Sequence, residues 1–483
     1  MKKGGDNLKI TTVTGKLGTF VEVAYEDVKS SNKKIEDLKK KKVFEGKKGQ
    51  VFPNVFSDES VIYLGLGKKA ESSLEDLRLG FCKLGAELNK SKVDKASFDL
   101  GQIKGLTVEE AAEAIVEGLL QSEYSFDKFL SEKKERSLKE FALITKDKDK
   151  EVKAIIKEVT SVIGGVFLAR DLVNEPAMYM TPTALANAAK ELEKLGVEVE
   201  VHGQKEIEKL GMKAFLAVAK GSEQEPKLII MKWNGDKRSK DKTALVGKGL
   251  TYDSGGYGIK STGGMVDMHS DMAGSASVIG VFKALAENKV KKNVVGIIAA
   301  CENMISGGAY KNGDIISSMA GKSIHIGSTD AEGRLTLADA LYYIATKEKP
   351  NRIIDIATLT GAVIGALGGI TTGIVSNDDD FAYDVVRAGN EVGEPAWLLP
   401  LNDKYRDMVK GTFSDLLNSQ VGSAKGGGAI TAGAFLENFV EDTPWVHMDI
   451  AGTSYNSAAE GYLPKGGTGV PVKTLYHYIK TRK

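Results

Sequence analysis

The chain has 483 residues, 42 % of them hydrophobic and 27 % charged, the composition of an ordinary globular protein too long for one small core. Lys and Arg (66) nearly balance Asp and Glu (65), so no global field draws it to nucleic acid or to an anionic membrane. Two cysteines, Cys82 and Cys301, are too few for a disulfide framework. No apolar run follows the basic start, and residues 361–370 are too short and glycine-broken to span a membrane, so the expected location is the cytoplasm.

Residues 1–150 are lysine-rich, with the run Lys39-Lys40-Lys41-Lys42 and the pairs Lys33-Lys34 and Lys47-Lys48, which read as a solvated face. Between them lie the strand-like Val61-Ile62-Tyr63-Leu64 and the helix-like residues 108–120. This pattern predicts a smaller N-terminal α/β domain. Residues 151–175 read as a linking helix that ends before Pro176.

From 176 to 483 strands and helices alternate. Thr181 supplies an N-cap and Pro182 a first helical residue, Leu185, Ala188, Leu192 and Leu195 form one apolar stripe, and Gly196 stops the helix. Alternation over residues 197–201 predicts a half-buried strand. Buried strands follow at 228–231, 244–246, 294–300, 353–357 and 446–450, with helices at 276–288, 335–346 and 432–439. The pattern predicts a larger catalytic domain, α/β in class, with a mixed, mostly parallel sheet covered by helices. Ligands of such sheets sit beyond the carboxyl ends of the strands.

Two glycine-rich segments imitate phosphate loops. Gly65-Leu66-Gly67-Lys68-Lys69-Ala70 lacks a second strand ending in an acidic residue, and Gly321-Lys322-Ser323 has Ile316 where a P-loop needs its first glycine. Neither predicts a nucleotide site. The five histidines, at 202, 269, 325, 447 and 477, have no zinc-protease or Cys-partner spacing. Any metal must therefore be held by carboxylates.

Three loops offer them. Residues 246–260 carry Lys248, Asp253 and Lys260 among glycines that let the backbone bring these charges together. Asp271 precedes a helix, where taken alone it reads as an N-cap. Residues 328–335 read Ser-Thr-Asp-Ala-Glu-Gly-Arg-Leu, and Thr329 and Glu332 have capping-box spacing before a helix expected near Leu335. Asp330 and Glu332 lie so close beside Arg334 that joint ionisation calls for compensating cations, which divalent ions would supply.

Together these residues resemble the M17 leucyl aminopeptidase family. Its two hallmark stretches appear as residues 246–260 and 328–335, supported by residues 170–176, 301–304, 357–362 and 447–452, and the resemblance runs co-linearly from about residue 165 onward. It implies a metal-dependent aminopeptidase that removes N-terminal Leu and other, mainly apolar, residues from peptides by attack of a water bridging two metals. Lys248, Asp253, Asp271, Asp330 and Glu332 would be the metal ligands. Oxygen ligands plus one amine suit Mn²⁺ or Zn²⁺, with Mg²⁺ and Co²⁺ as alternatives.

The resemblance further implies that Lys260 and Arg334 are catalytic. Lys260 would stabilise the oxyanion, and Arg334 would hold a bicarbonate that relays the proton. Lys260, Met268, Asp271, Thr358, Leu359, Gly361 and Ala451 would contact the substrate. It also implies a homohexamer. Some members bind DNA, which the lysine run at 39–42 raises as an alternative role; a two-metal hydrolase of another substrate class, such as a phosphoesterase, is the other. The sequence departs from the family pattern at Ser328 (usually Asn), Ser261 (usually Pro), Met178 (commonly Asn) and in the order Met265-Val266-Asp267-Met268. None of these removes an implied ligand.

Overall fold

The computed structural model describes residues 8–55, 60–71, 73–420 and 426–482, so the basic start of the chain lies outside the described residues. The chain divides into two compact units, Met1–Ile163 with Ala459–Pro464, and Gly164–Ala458 with Lys465–Lys483. The division falls inside the long helix Asp149–Asn174.

The first unit is built on six strands, β1 (Lys9–Val13), β2 (Thr19–Ala24), β3 (Val51–Asn54), β4 (Val61–Gly65), β5 (Lys95–Asp99) and β6 (Glu140–Ile144), in the order β1-β6-β5-β2-β4-β3. Only the β3–β4 pair is antiparallel. The helices Leu74–Lys90 and Val108–Gln121 each open with a full capping box, from Ser73 and Asp76 and from Thr107 and Glu110. The lysine run ends the helix Lys33–Lys40. Its Lys39 ammonium is engaged by the carbonyls of Tyr25 (2.6 Å) and Val28 (2.8 Å), whereas Lys40 is solvated, with Asp37 at 3.6 Å.

The second unit centres on eight strands: β7 (Glu198–His202), β8 (Lys227–Asn234), β9 (Lys242–Asp253), β10 (Asn293–Asn303), β13 (Arg352–Ala357), β14 (Thr372–Ser376), β15 (Ala396–Leu398) and β17 (Trp445–Asp449), ordered β15-β14-β17-β13-β9-β10-β8-β7. Three further strands, β11 (Ile315–Ser317), β12 (Ser323–His325) and β16 (Leu416–Leu417), form a separate small sheet, and β18 (Tyr455–Asn456) and β19 (Gly466–Gly467) form an antiparallel pair. The four central strands, β17, β13, β9 and β10, run parallel, and the flanking pairs β14–β17, β10–β8 and β8–β7 are antiparallel. Parallel strands buried on both faces need near-continuous apolar runs. Leu245, Val246, Ile297, Ile298, Ile353, Ile354 and Ile356 provide them at 0 % exposure.

The predicted helix from Thr181 is capped as expected, the Thr181 hydroxyl accepting Ala184 N–H at 3.2 Å. Its α-helical part stops at Lys190, however, and the chain tightens into a 3₁₀ segment, Glu191–Leu195, before Gly196 at φ +88°. Gly321 turns at φ +78° between β11 and β12, so the P-loop look-alike is a hairpin turn.

Candidate active site

Every residue implied as a ligand or catalytic group lies in the second unit: Lys248 and Asp253 on β9, Lys260 and Asp271 in the segment after it, and Asp330, Glu332 and Arg334 after β12. Lys248 and Asp253 sit on β9, five positions apart, a spacing that puts side chains on opposite faces of a regular strand. The pairing of β9 with β10 slips by one residue, Cys301 facing Leu250 and Glu302 facing Tyr252. Thr251 is thus an extra residue, and the bulge returns Asp253 to the side of Lys248. Beyond β9, Gly255 (φ +84°) and Gly256 (φ +59°) take left-handed conformations open to glycine. They turn the chain so that Lys260 folds back onto Asp253.

The charges interlock. Lys248 Nζ lies 2.9 Å from Asp271 Oδ2 and 2.9 Å from Glu332 Oε1, and donates to the Thr358 carbonyl at 2.8 Å. Lys260 Nζ lies 2.8 Å from Asp253 Oδ2 and 2.5 Å from Asp330 Oδ1. Asp253 Oδ1 accepts from Asn303 Nδ2 (2.8 Å) and Gly255 N–H (2.9 Å). Lys248, Asp253, Asp271 and Glu332 are all buried. A Cβ on Gly333 would come within 2.4 Å of Lys248 Cε, so a side chain there would push the Lys248 ammonium from its place.

The electrostatics follow from that crowding. Burial raises the pKa of Glu332, and Asp253 and Asp271 raise it further; burial likewise raises Asp271 and Asp330. For Lys248, burial acts downward, but Asp271, Glu332 and Asp253 overcome it and hold the ammonium above the ordinary lysine value. Lys260 shifts upward for the same reason, chiefly through Asp253. Four carboxylates thus face two ammonium groups, and Glu332 Oε2 is buried with no hydrogen-bond partner. Asp253, Asp330 and Glu332 each offer an oxygen within 4.8 Å of the others. Hard oxygen donors, excess negative charge and an unpartnered buried oxygen fit divalent cations.

Both capping expectations are overturned. The helix Gly333–Tyr343 starts two residues before Leu335, its N-cap Glu332 is already helical, and no side chain caps it. Thr329 is spent elsewhere: its hydroxyl donates to the Gly255 carbonyl (2.7 Å) and accepts Gly258 N–H (2.7 Å), which stitches the two hallmark loops together. Asp271 does not cap the helix Ala273–Glu287, whose N-cap is Met272. Its Oδ1 accepts the Thr358 hydroxyl at 2.7 Å.

Arg334 is buried, and its Nη1 donates to the Asn418 carbonyl at 2.5 Å while its Nε has no partner. Burial pushes its pKa down to about 10, against the opposing pull of Glu332 and Asp449. Met268 opens the 3₁₀ turn leading to Asp271, whose N–H it accepts at 3.3 Å. Gly361 begins the helix Gly361–Leu367, where a Cβ would meet open space. The N–H groups of Leu359 and Ala451 both point to Asp449.

Sequence reading missed three positioning residues. Asn303, at the end of β10, holds Asp253 and the Thr329 carbonyl (3.0 Å). Asn418, set beside β12 by the short β16 pairing, accepts Gly327 N–H (2.8 Å) and Ser328 N–H (3.3 Å) and donates to the Ser328 and Ala331 carbonyls (2.7 and 3.2 Å). Asp449 is the third. Asn303 and Asp449 lie in the stretches 301–304 and 447–452 that carry the family resemblance, which gave them no role, and Asn418 follows no predicted strand.

The chain is similar to known proteins. The sequence family described as the cytosol aminopeptidase family matches with its catalytic domain over residues 167–476 and its N-terminal domain over residues 15–133. A probable cytosol aminopeptidase of Clostridium tetani is 54 % identical over 94 % of this chain and 95 % of its own. One of Treponema denticola is 46 % identical over 97 % and 98 %. Among solved structures, a tomato leucine aminopeptidase mutant superposes with TM-score 0.87 at 33 % identity, covering 98 % of this chain and 95 % of that one. The bottromycin maturation enzyme BotP in complex with Mn gives 0.86 at 29 %, covering 96 % and 99 %.

Proposed function

The chain belongs to the cytosol aminopeptidase family and is a peptidase hydrolase, and from that premise we propose that it removes N-terminal Leu and other, mainly apolar, residues from peptides with the help of two divalent ions. The observation that carries this reading is the buried surplus of carboxylates around Lys248 and Lys260, with Glu332 Oε2 left unpartnered. Lys248, Asp253, Asp271, Asp330 and Glu332 would hold the ions, Mn²⁺ or Zn²⁺ by preference and Mg²⁺ or Co²⁺ as alternatives. Bound there, the pair supplies an activated water at neutral pH and Lewis-acid polarisation of the peptide carbonyl.

The chain's own groups supply the rest. Lys260, an ammonium paired with Asp253 and Asp330, would stabilise the oxyanion developing on the peptide carbonyl. Asp271 offers a carboxylate to the substrate's α-amine, which limits cleavage to free N-termini. Lys248 would serve as a ligand only in its neutral form, which the charge of bound dications would favour over the ammonium that Asp271, Glu332 and Asp253 otherwise hold. Arg334, protonated at neutral pH, would hold a small anion such as bicarbonate, a group able to accept and return a proton. Met268, Thr358, Gly361 and Ala451 line the side-chain pocket, and Leu359 contacts the peptide backbone. The working assembly is a homohexamer in the cytoplasm, as the family resemblance implies.

The test is release of the N-terminal residue from leucine amide by purified protein with Mn²⁺, and its loss on chelation. Turnover of a phosphoester with none of the amide would replace this reading with a phosphoesterase.

A further inference from the structure

Asp449 is the last residue of β17 and is 1 % exposed. Its Oδ1 accepts the N–H groups of Leu359 (3.1 Å), Thr360 (3.4 Å) and Ala451 (3.2 Å), and its Oδ2 accepts the Thr360 hydroxyl (2.6 Å). Thr360 Oγ1 also accepts Val363 N–H at 3.2 Å and so caps the helix Gly361–Leu367. One carboxylate therefore gathers the loop after β13 and the loop after β17. Those two loops carry Thr358, Leu359, Gly361 and Ala451.

The clamp is not needed to build the sheet. Backbone pairing already sets Asp449 opposite Ala357 on one side and Gly373 on the other. Its donors are loop and helix-start groups that the ladder leaves unmet, which a carboxylate satisfies more strongly than a neutral acceptor. The loop it fixes also reaches the charged cluster: Thr358, next to Leu359, gives its carbonyl to Lys248 and its hydroxyl to Asp271. Because the clamp consumes the Leu359 N–H, a peptide lying against Leu359 meets its carbonyl.

We infer that Asp449 is a positioning residue that sets the wall of the side-chain pocket and couples it to the Lys248–Asp271 end of the site. It acts through Thr358, Leu359 and Ala451 and touches no reacting atom. The inference rests on the aminopeptidase reading and deepens it, naming what tunes side-chain selectivity.

The experiment measures kcat and KM of the full chain with Mn²⁺ on leucine, methionine and alanine amides for Asp449→Ala, Asp449→Asn and Thr360→Val. Asp449→Ala is expected to shift the leucine-to-alanine ratio of kcat/KM by about tenfold, the scale at which a pocket wall discriminates small apolar groups. Thr360→Val shifts it the same way by less. Asp449→Asn stays within about threefold of the original ratio, since its amide oxygen still accepts the three N–H groups. A uniform loss on all three amides, with the ratio unchanged in both Asp449→Ala and Thr360→Val, overturns the inference and leaves Asp449 a fold residue. Should Asp449→Ala not fold, an unchanged ratio in Thr360→Val overturns it alone. Absence of amide turnover in the unaltered protein shows up separately and removes the aminopeptidase reading, with this inference.

Discussion

Two buried carboxylates belong to one helix start and one helix middle: Glu332, just before Gly333–Tyr343, and Asp339 within it, at 2 % and 0 % exposure. Burial raises the pKa of both, that of Asp339 up to about 7. Their surroundings part there. Asp339 Oδ1 accepts Met319 N–H (2.7 Å) and Oδ2 accepts Phe215 N–H (3.0 Å), so neutral donors answer both oxygens. Glu332 shares its space with Asp253 and Asp271 and has an oxygen with no donor. Burial by itself does not mark function; a buried carboxylate left unsatisfied among like charges does.

The largest expected effect falls on the two cations of the Glu332 cluster proposed as catalytic, Lys260 and Arg334. A Lys260→Ala, Arg334→Ala double variant is expected to lose about a thousandfold or more in kcat on leucine amide, whereas Asp339→Ala changes kcat per folded molecule by less than about threefold. Equal losses would erase the distinction. Stability should move the other way. Asp339→Ala strands backbone N–H groups and costs about 3 kcal/mol in urea unfolding of chelator-treated protein, while Glu332→Gln relieves like-charge crowding and adds about 1 kcal/mol.

Acidity sharpens the contrast further. The folded pKa of Asp339, about 7, lies above its unfolded value near 3.9. The folded state therefore binds that proton more tightly, and the stability it contributes is full below about pH 4 and lost as pH rises through about 7. Urea unfolding at several pH values should show the Asp339→Ala penalty largest near pH 4 to 5 and smaller by pH 8. The smallest effect is expected where charge is exposed: replacing Lys40, Lys41 and Lys42 by Gln should alter stability by less than about 0.5 kcal/mol.

The same contrast explains what could be read from the sequence. Apolar runs over β9, β10, β13 and β17 and the strand–helix alternation disclosed the mostly parallel sheet, because burial on both faces leaves a compositional trace. β14 and the helix Asp379–Glu391 escaped, since a strand reading Thr-Gly-Ile-Val-Ser carries too few apolar residues to stand out. At the site, spacing favoured a capping box at Thr329 and Glu332, and tertiary contact won: the Gly255 carbonyl and Gly258 N–H compete for the Thr329 hydroxyl, and Glu332 turns to Lys248. The bulge at Thr251 left no mark in the sequence, because a register slip depends on the partner strand. Asn303, Asn418 and Asp449 act through backbone groups far along the chain, and no local pattern announces such partners.

The proposed function puts Glu332 in a cation site and leaves Asp339 to the scaffold. Its most direct test is the thermal midpoint of chelator-stripped protein, Glu332→Gln and Asp339→Asn, each titrated with Mn²⁺, since a ligand that binds only the folded state stabilises it by mass action. The unaltered protein and Asp339→Asn should gain equally from Mn²⁺ and Glu332→Gln should gain little or nothing. An undiminished gain in Glu332→Gln would contradict the account.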